Sequence, residues 1–113
     1  MSERRIFTRR ATGIWVVRAG GAVIAESQAA LELLEGDLDP VIYFPREDAI
    51  AFLDPSERSS TCRHKGEARY FHIAAKSGRI ENAAWSYETP LDAVKEIAGH
   101  IAFDPDLATI EKV

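Results

Sequence analysis

The chain has one cysteine in 113 residues, Cys62, so no disulfide can form within it. A lone thiol of this kind fits a reducing, cytoplasmic setting. The three histidines, His64, His72 and His100, form no H-x-x-x-H pair, and no C-x-x-C exists. A structural metal site is therefore not expected, and no cofactor is implied. No apolar run approaches the roughly 20 residues of a membrane span, and no hydrophobic stretch follows the charged start as a secretory leader would require. Membrane partners are not expected. A basic surplus is also missing, because the net charge is −4. A dedicated nucleic-acid binder would show a basic face, so nucleic acid is not an expected partner. Phosphate loops, dinucleotide fingerprints and nucleophile elbows are absent as well: there is no G-x-x-x-x-G-K-[ST], no G-x-G-x-x-G and no G-x-S-x-G.

The remaining pattern is that of one domain, long enough to bury a core without staples. Four arginines (Arg4, Arg5, Arg9, Arg10) crowd the first ten residues, and residues 1–12 read as a flexible basic tail preceding a β-rich domain over 13–113. Ile14–Arg18 and Ala22–Glu26 flank Gly20-Gly21, a hairpin signal. Ala29–Glu35 fits either a bulged strand or one helical turn. Val41–Phe44 is a short strand stopped by Pro45. Arg46–Leu53 reads as a helical turn or irregular, and Asp54-Pro55-Ser56 as a loop. Glu67–Ala75 and Ile80–Tyr87 form a second hairpin through Lys76–Arg79. Thr89 as cap, Pro90 at the first helical position and Asp92 in the first turn predict a short α-helix near residues 90–98, with Leu91, Val94, Ile97 and Ala98 as its apolar face and Gly99 ending it. Ile101–Phe103 and Leu107–Val113 read as final strands. The fold class is mainly β: two packed antiparallel sheets and one short helix.

Chemistry-bearing residues concentrate in Thr61-Cys62-Arg63-His64-Lys65-Gly66-Glu67-Ala68-Arg69-Tyr70 and in Trp85-Ser86-Tyr87. Cations beside Cys62 favour its thiolate, and His64 or His72 is the available base. Cys62 and His64 are thus the catalytic candidates. Lys65 before Gly66 suits an anionic group. Arg46 and Asp48 after Tyr43-Phe44-Pro45 would orient a ligand or clamp a loop by salt bridges. If Ser77-Gly78 is the turn, Tyr70 faces Trp85, Ala68 faces Tyr87 and His72 faces Ala83, all on one side of the sheet. Phe71, Ile73, Ala75, Ile80 and Ala84 lie on the other. The first face fits a second core layer, or a pocket wall of aromatic rings with polar tips.

These motifs together resemble domain of unknown function family 427. The resemblance rests on Tyr43-Phe44-Pro45-Arg46-Glu47-Asp48, Thr61-Cys62-x-x-Lys65-Gly66-x-Ala68-x-Tyr70, Asn82-Ala83-Ala84-Trp85-x-Tyr87-x-x-Pro90 and Ile97-Ala98-Gly99-x-Ile101-Ala102-Phe103. It runs from Val16 to Val113. It implies a small, mostly bacterial, cytosolic protein with two antiparallel sheets packed like a tent and no settled activity. The nucleotidyltransferase-like label some members carry finds no Gly-Ser pair here for an Asp-x-Asp dyad to follow. Three positions depart from the pattern: Arg63 where proline often follows the cysteine, His64 where an aromatic often precedes the lysine, and Asp104 where an aromatic often follows the Ala-Phe pair.

The expected function is binding of a small anionic or planar ligand. Tyr70, Trp85 and Tyr87 would supply surface, and Arg46, Asp48, Lys65 and His72 polar anchors. Two other classes stay open: a thiol-dependent enzyme using Cys62, and a non-catalytic scaffold or homodimer formed through an exposed strand edge.

Overall fold

Among the described residues, ten short strands form three antiparallel sheets. The structure, a computed structural model, describes residues 5–113. The strands are β1 Ile6–Arg10, β2 Trp15–Ala19, β3 Ala22–Ser27, β4 Leu31–Glu35, β5 Val41–Tyr43, β6 Leu53–Cys62, β7 Gly66–Ala75, β8 Gly78–Tyr87, β9 Ala102–Phe103 and β10 Thr109–Lys112. They associate as β1-β4-β5, β10-β2-β3 and β6-β7-β8-β9. The chain is therefore mainly β, with three sheets where two were expected. Among the described residues no helix is long and apolar enough to cross a membrane.

The four-stranded sheet carries a core cluster on each face, because strand alternation sends successive side chains to opposite sides. Phe71, Ile73 and Ala84 join Val17, Ile24 and Ala25 in one cluster. Ala68 and Tyr87 join Leu33 and Tyr43 in the other, with Tyr70 and Trp85 packed at its margin. The β2–β3 hairpin turns at Gly20 and Gly21, both at positive φ (57° and 80°), the conformation that this two-residue turn demands.

Four expectations change. Residues 6–10 are not a tail but β1, paired in register with β4. Period-two alternation half-buries Ile6 and Thr8, and Arg9 pairs across the strands with Glu32 at 2.8 Å. Arg4 lies outside the described residues. Of Ala29–Glu35, the stretch Leu31–Glu35 is strand and Ala29-Ala30 lead into it. Asp54-Pro55-Ser56 belongs to β6, an outermost strand, where a proline without N–H is tolerated beside a bulge. The helix is a 3-10 segment, Asp92–Ile97, broken by non-helical Val94 and without a side-chain cap. So short a segment gains few i→i−4 bonds to offset its nucleation cost, and the tighter turn prevails. Val94 and Ile97 are nevertheless both buried in the cluster with Leu33 and Tyr43.

Candidate functional site

Lys65 sits on a tight turn between β6 and β7, where its N–H donates to the Cys62 carbonyl at 3.2 Å and Gly66 takes φ 113°. The Leu91 N–H donates to the Lys65 carbonyl at 3.0 Å, so the chain leading into the 3-10 segment lies across this turn. The lysine side chain thereby reaches the end of β4. Its Nζ donates to Glu35 Oε1 at 2.8 Å, with the two side chains only 14% and 10% exposed.

This ion pair borders a cavity of about 380 Å³ whose walls include Tyr43, Tyr70, Trp85 and Tyr87. Ligand sites commonly fall between about 300 and 1,000 Å³. The Trp85 indole N–H donates to the Tyr43 hydroxyl at 3.2 Å. It is therefore committed to positioning the tyrosine and is not offered to a ligand. The Tyr70 hydroxyl lies 3.0 Å from Ser60 Oγ, and its ring carries the Arg58 guanidinium, 4.6 Å from the centroid. Tyr70 and Trp85 rings lie 6.4 Å apart. Asp39, Asp104, Arg58 and Asn82 complete the polar lining. A second, mainly apolar cavity of about 510 Å³ shares Trp85 but brings in few polar groups, so the first has the donors and acceptors that orient a ligand.

Burial raises the Tyr43 phenol well above its ordinary value, only partly opposed by the Trp85 bond. Burial likewise raises Tyr87, against the pull of the nearby Lys65 charge. For Lys65 burial works the other way, yet the hydrogen bond to Glu35 and the electronegative surroundings of Cys62, Glu35 and Tyr87 leave its ammonium raised overall. Both phenols thus keep their protons at neutral pH and the lysine keeps its charge. A lysine nucleophile needs the opposite, a lowered pKa. The walls are suited to recognition.

The structure gathers Lys65, Tyr70, Trp85 and Tyr87 as the sequence suggested. It leaves Arg46, Asp48, His64 and His72 outside that lining. Arg46 donates to Glu88 Oε2 at 2.9 Å and to the Gly99 carbonyl at 3.2 Å, over the Phe71 ring; it clamps loops together. Asp48 lies on a 3-10 turn, Arg46–Asp48. His64 is exposed on the hairpin tip. His72 does not face Ala83. The β7–β8 register shifts between Phe71↔Ala84 and Ile73↔Ile80, and one residue on β7 opposes three on β8. His72 Nδ1 accepts the Asn82 N–H at 3.0 Å within this bulge. Asn82 itself adopts φ 53°, and Ala83 turns into the opposite core cluster. Cys62 is half-buried and packs beside the Tyr43–Tyr87 cluster, and no hydrogen bond joins it to His64 or His72 among the described residues. Sequence reasoning missed Glu35, Tyr43, Arg58, Asp39 and Asp104. Glu35 left a periodicity signal, a carboxylate in step with Leu31 and Leu33, and Asp104 stood out as a departure from the resemblance.

Fold and cavity together define a small, mainly β domain that encloses a polar, aromatic-walled chamber between two of its sheets. No group of three or more His, Cys, Asp or Glu side chains suited to a metal ion occurs among the described residues. The chain belongs to the DUF427 family, a domain of unknown function also designated NTP_transf_9, which it matches over residues 8–113. No curated protein sequence matches it.

Proposed function

We propose that this domain binds a small planar ligand in the cavity bordered by Lys65 and Glu35. The observation that carries the reading is the buried ion pair opening onto a chamber walled by Tyr43, Trp85 and Tyr87. Aromatic faces give flat contact area at low entropic cost, and a few fixed polar groups set orientation. The planar half of the expectation is favoured over the anionic half because Glu35 already neutralises Lys65. The single thiol fits a cytoplasmic role in this reading.

The test is a thermal-shift screen against planar heterocycles, nucleosides, carboxylates and amines. Tyr87→Phe and Trp85→Phe serve as controls that keep a ring in place. A ligand at 100 times its dissociation constant stabilises the fold by about 2.7 kcal/mol. The reading expects a hit whose shift shrinks in both variants. Hits that persist undiminished in both would move the site elsewhere and refute it.

A further inference from the structure

We infer that the cavity selects a compact organic cation, an alkylated ammonium or amidinium group, over an anion. This rests on the reading above that the cavity is a ligand site, and takes positive charge, rather than planarity, as the property it selects. The first support is charge. Lys65 and Glu35 are paired at 2.8 Å, and the other charged liners among the described residues are Arg58, Asp39 and Asp104. Asp104 Oδ1 accepts the Asp106 N–H at 2.9 Å, which holds its carboxylate in place. Two carboxylates against one guanidinium give the chamber a negative balance, and an anion entering it would meet both.

The second support is the wall itself. Aromatic faces are the negative poles of their quadrupoles, and cations within about 6 Å of a centroid are attracted to them. Tyr70, Trp85 and Tyr87 bring three rings to one cavity, backed by the almost fully buried Tyr43. One of these faces already holds a cation: the Arg58 guanidinium stands 4.6 Å over Tyr70. The third support is Tyr87. It lines the cavity while only 6% exposed, and its hydroxyl has no hydrogen-bond partner among the described residues. Its oxygen is therefore available to an ammonium N–H.

The experiment is an amide and indole NMR titration of the full chain at fixed ionic strength. The probes are tert-butylammonium, its neutral isostere tert-butanol, and inorganic phosphate. The Trp85 indole N–H, bonded to Tyr43, reports the cavity. The Trp15 indole N–H, which donates to the Thr12 carbonyl, lies in the wall of the second cavity that also contains Trp85, so its signal reports binding there. The expected result is saturable movement of the Trp85 signal alone, with tert-butylammonium binding at least fivefold tighter than tert-butanol and no saturation by phosphate. The double variant Asp39→Asn/Asp104→Asn, which keeps shape and removes charge, should weaken the ammonium at least fivefold. A smaller preference, a smaller loss in the double variant, or tighter binding of phosphate overturns the cation assignment while leaving a binding cavity. Failure of all three probes to move the Trp85 signal overturns the cation assignment, and failure of the wider planar-ligand screen as well removes the binding reading. If the double variant does not fold, the three-probe comparison on the unaltered chain still decides the matter.

Discussion

Cutting the Lys65–Glu35 pair should cost far more than an ordinary surface salt bridge. Exposed ion pairs contribute about 0–1 kcal/mol because water screens them and long side chains lose entropy. Here the side chains are 14% and 10% exposed and 2.8 Å apart. Removing the ammonium takes from Glu35 an opposite charge 2.8 Å away in a medium that solvates a carboxylate poorly, and cutting a buried pair in this way costs about 3–5 kcal/mol. Lys65→Met keeps most of the methylene stem that packs in the wall and deletes only the charge, so the loss should sit near the lower bound, about 3 kcal/mol. For a domain of this size that lowers the melting temperature by roughly 10 °C. The double variant Lys65→Met/Glu35→Leu removes both charges and should recover at least about 1 kcal/mol of that loss. Urea denaturation with intrinsic tryptophan fluorescence, supported by calorimetry, measures all the terms of the cycle. A Lys65→Met loss below about 1 kcal/mol would place the pair in the surface class and refute the argument for its burial.

Stability should fall steeply above about pH 10, the ordinary range of tyrosine and lysine. Tyr43, Tyr87 and Lys65 all have raised values when folded, so their contribution is complete below the unfolded pKa and drains away as pH rises through the folded one. Tyr43→Phe should flatten that decline, which denaturant midpoints between pH 8 and 11 will show; an unchanged slope would discount the buried phenol. His72→Ala should destabilise by about 1–3 kcal/mol, since it leaves the Asn82 N–H at the bulge without its 3.0 Å acceptor; chemical denaturation reads this, and a loss under about 0.5 kcal/mol would show the bulge holding without the imidazole. Gly66→Ala should cost about 1–3 kcal/mol, from φ 113° and a Cβ placed 3.4 Å from the Thr89 carbonyl oxygen; faster exchange of the Leu91 amide is the local signature. Cys62→Ala should leave binding of any ligand found by screening within twofold of the parent, because Cys62 packs beside the cavity cluster and has no base bonded to it; a larger loss would revive thiol chemistry.

Which parts of this were legible in the sequence follows from how local each signal is. Gly20-Gly21 dictates its own hairpin. The Tyr70–Trp85 and Ala68–Tyr87 pairings survive as read, because both lie on the side of the bulge next to the strand ends. Beyond the bulge the same count fails. The turn is Lys76-Ser77, one residue earlier than its glycine suggested, and two extra residues are absorbed at Asn82, an asparagine being among the few non-glycine residues that tolerate positive φ. A strand-period reading has no term for that insertion and pairs His72 with Ala83, which the register does not. The N-terminal strand was hidden differently. Its arginines dominate the composition, while the alternation of Ile6 and Thr8 that makes it a strand spans only five residues. Glu35 shows a third kind of limit. Its place beside Leu31 and Leu33 marks it as inward-facing, but its partner is thirty residues away on another sheet, and pairing across that distance is set by the packing of the sheets.

The three departures from the family pattern can now be weighed by where they fall. Arg63 and His64 occupy the exposed tip of the β6–β7 turn, so they alter the outer surface of the loop and leave the chamber walls as they are. Asp104 lines the cavity. A carboxylate in place of an aromatic ring there would trade contact area for charge, opposite rings whose faces are already negative. The first two substitutions should therefore be nearly silent for ligand choice. The third should set it: Asp104→Phe ought to shift the cavity from cations toward neutral planar ligands. Measured against the same probe set, Arg63→Pro and His64→Phe should change no affinity by more than twofold. If instead the loop variants moved affinity and Asp104→Phe did not, the specificity of this chain would reside in the Cys62–Gly66 turn, and the cavity would be only the space beneath it.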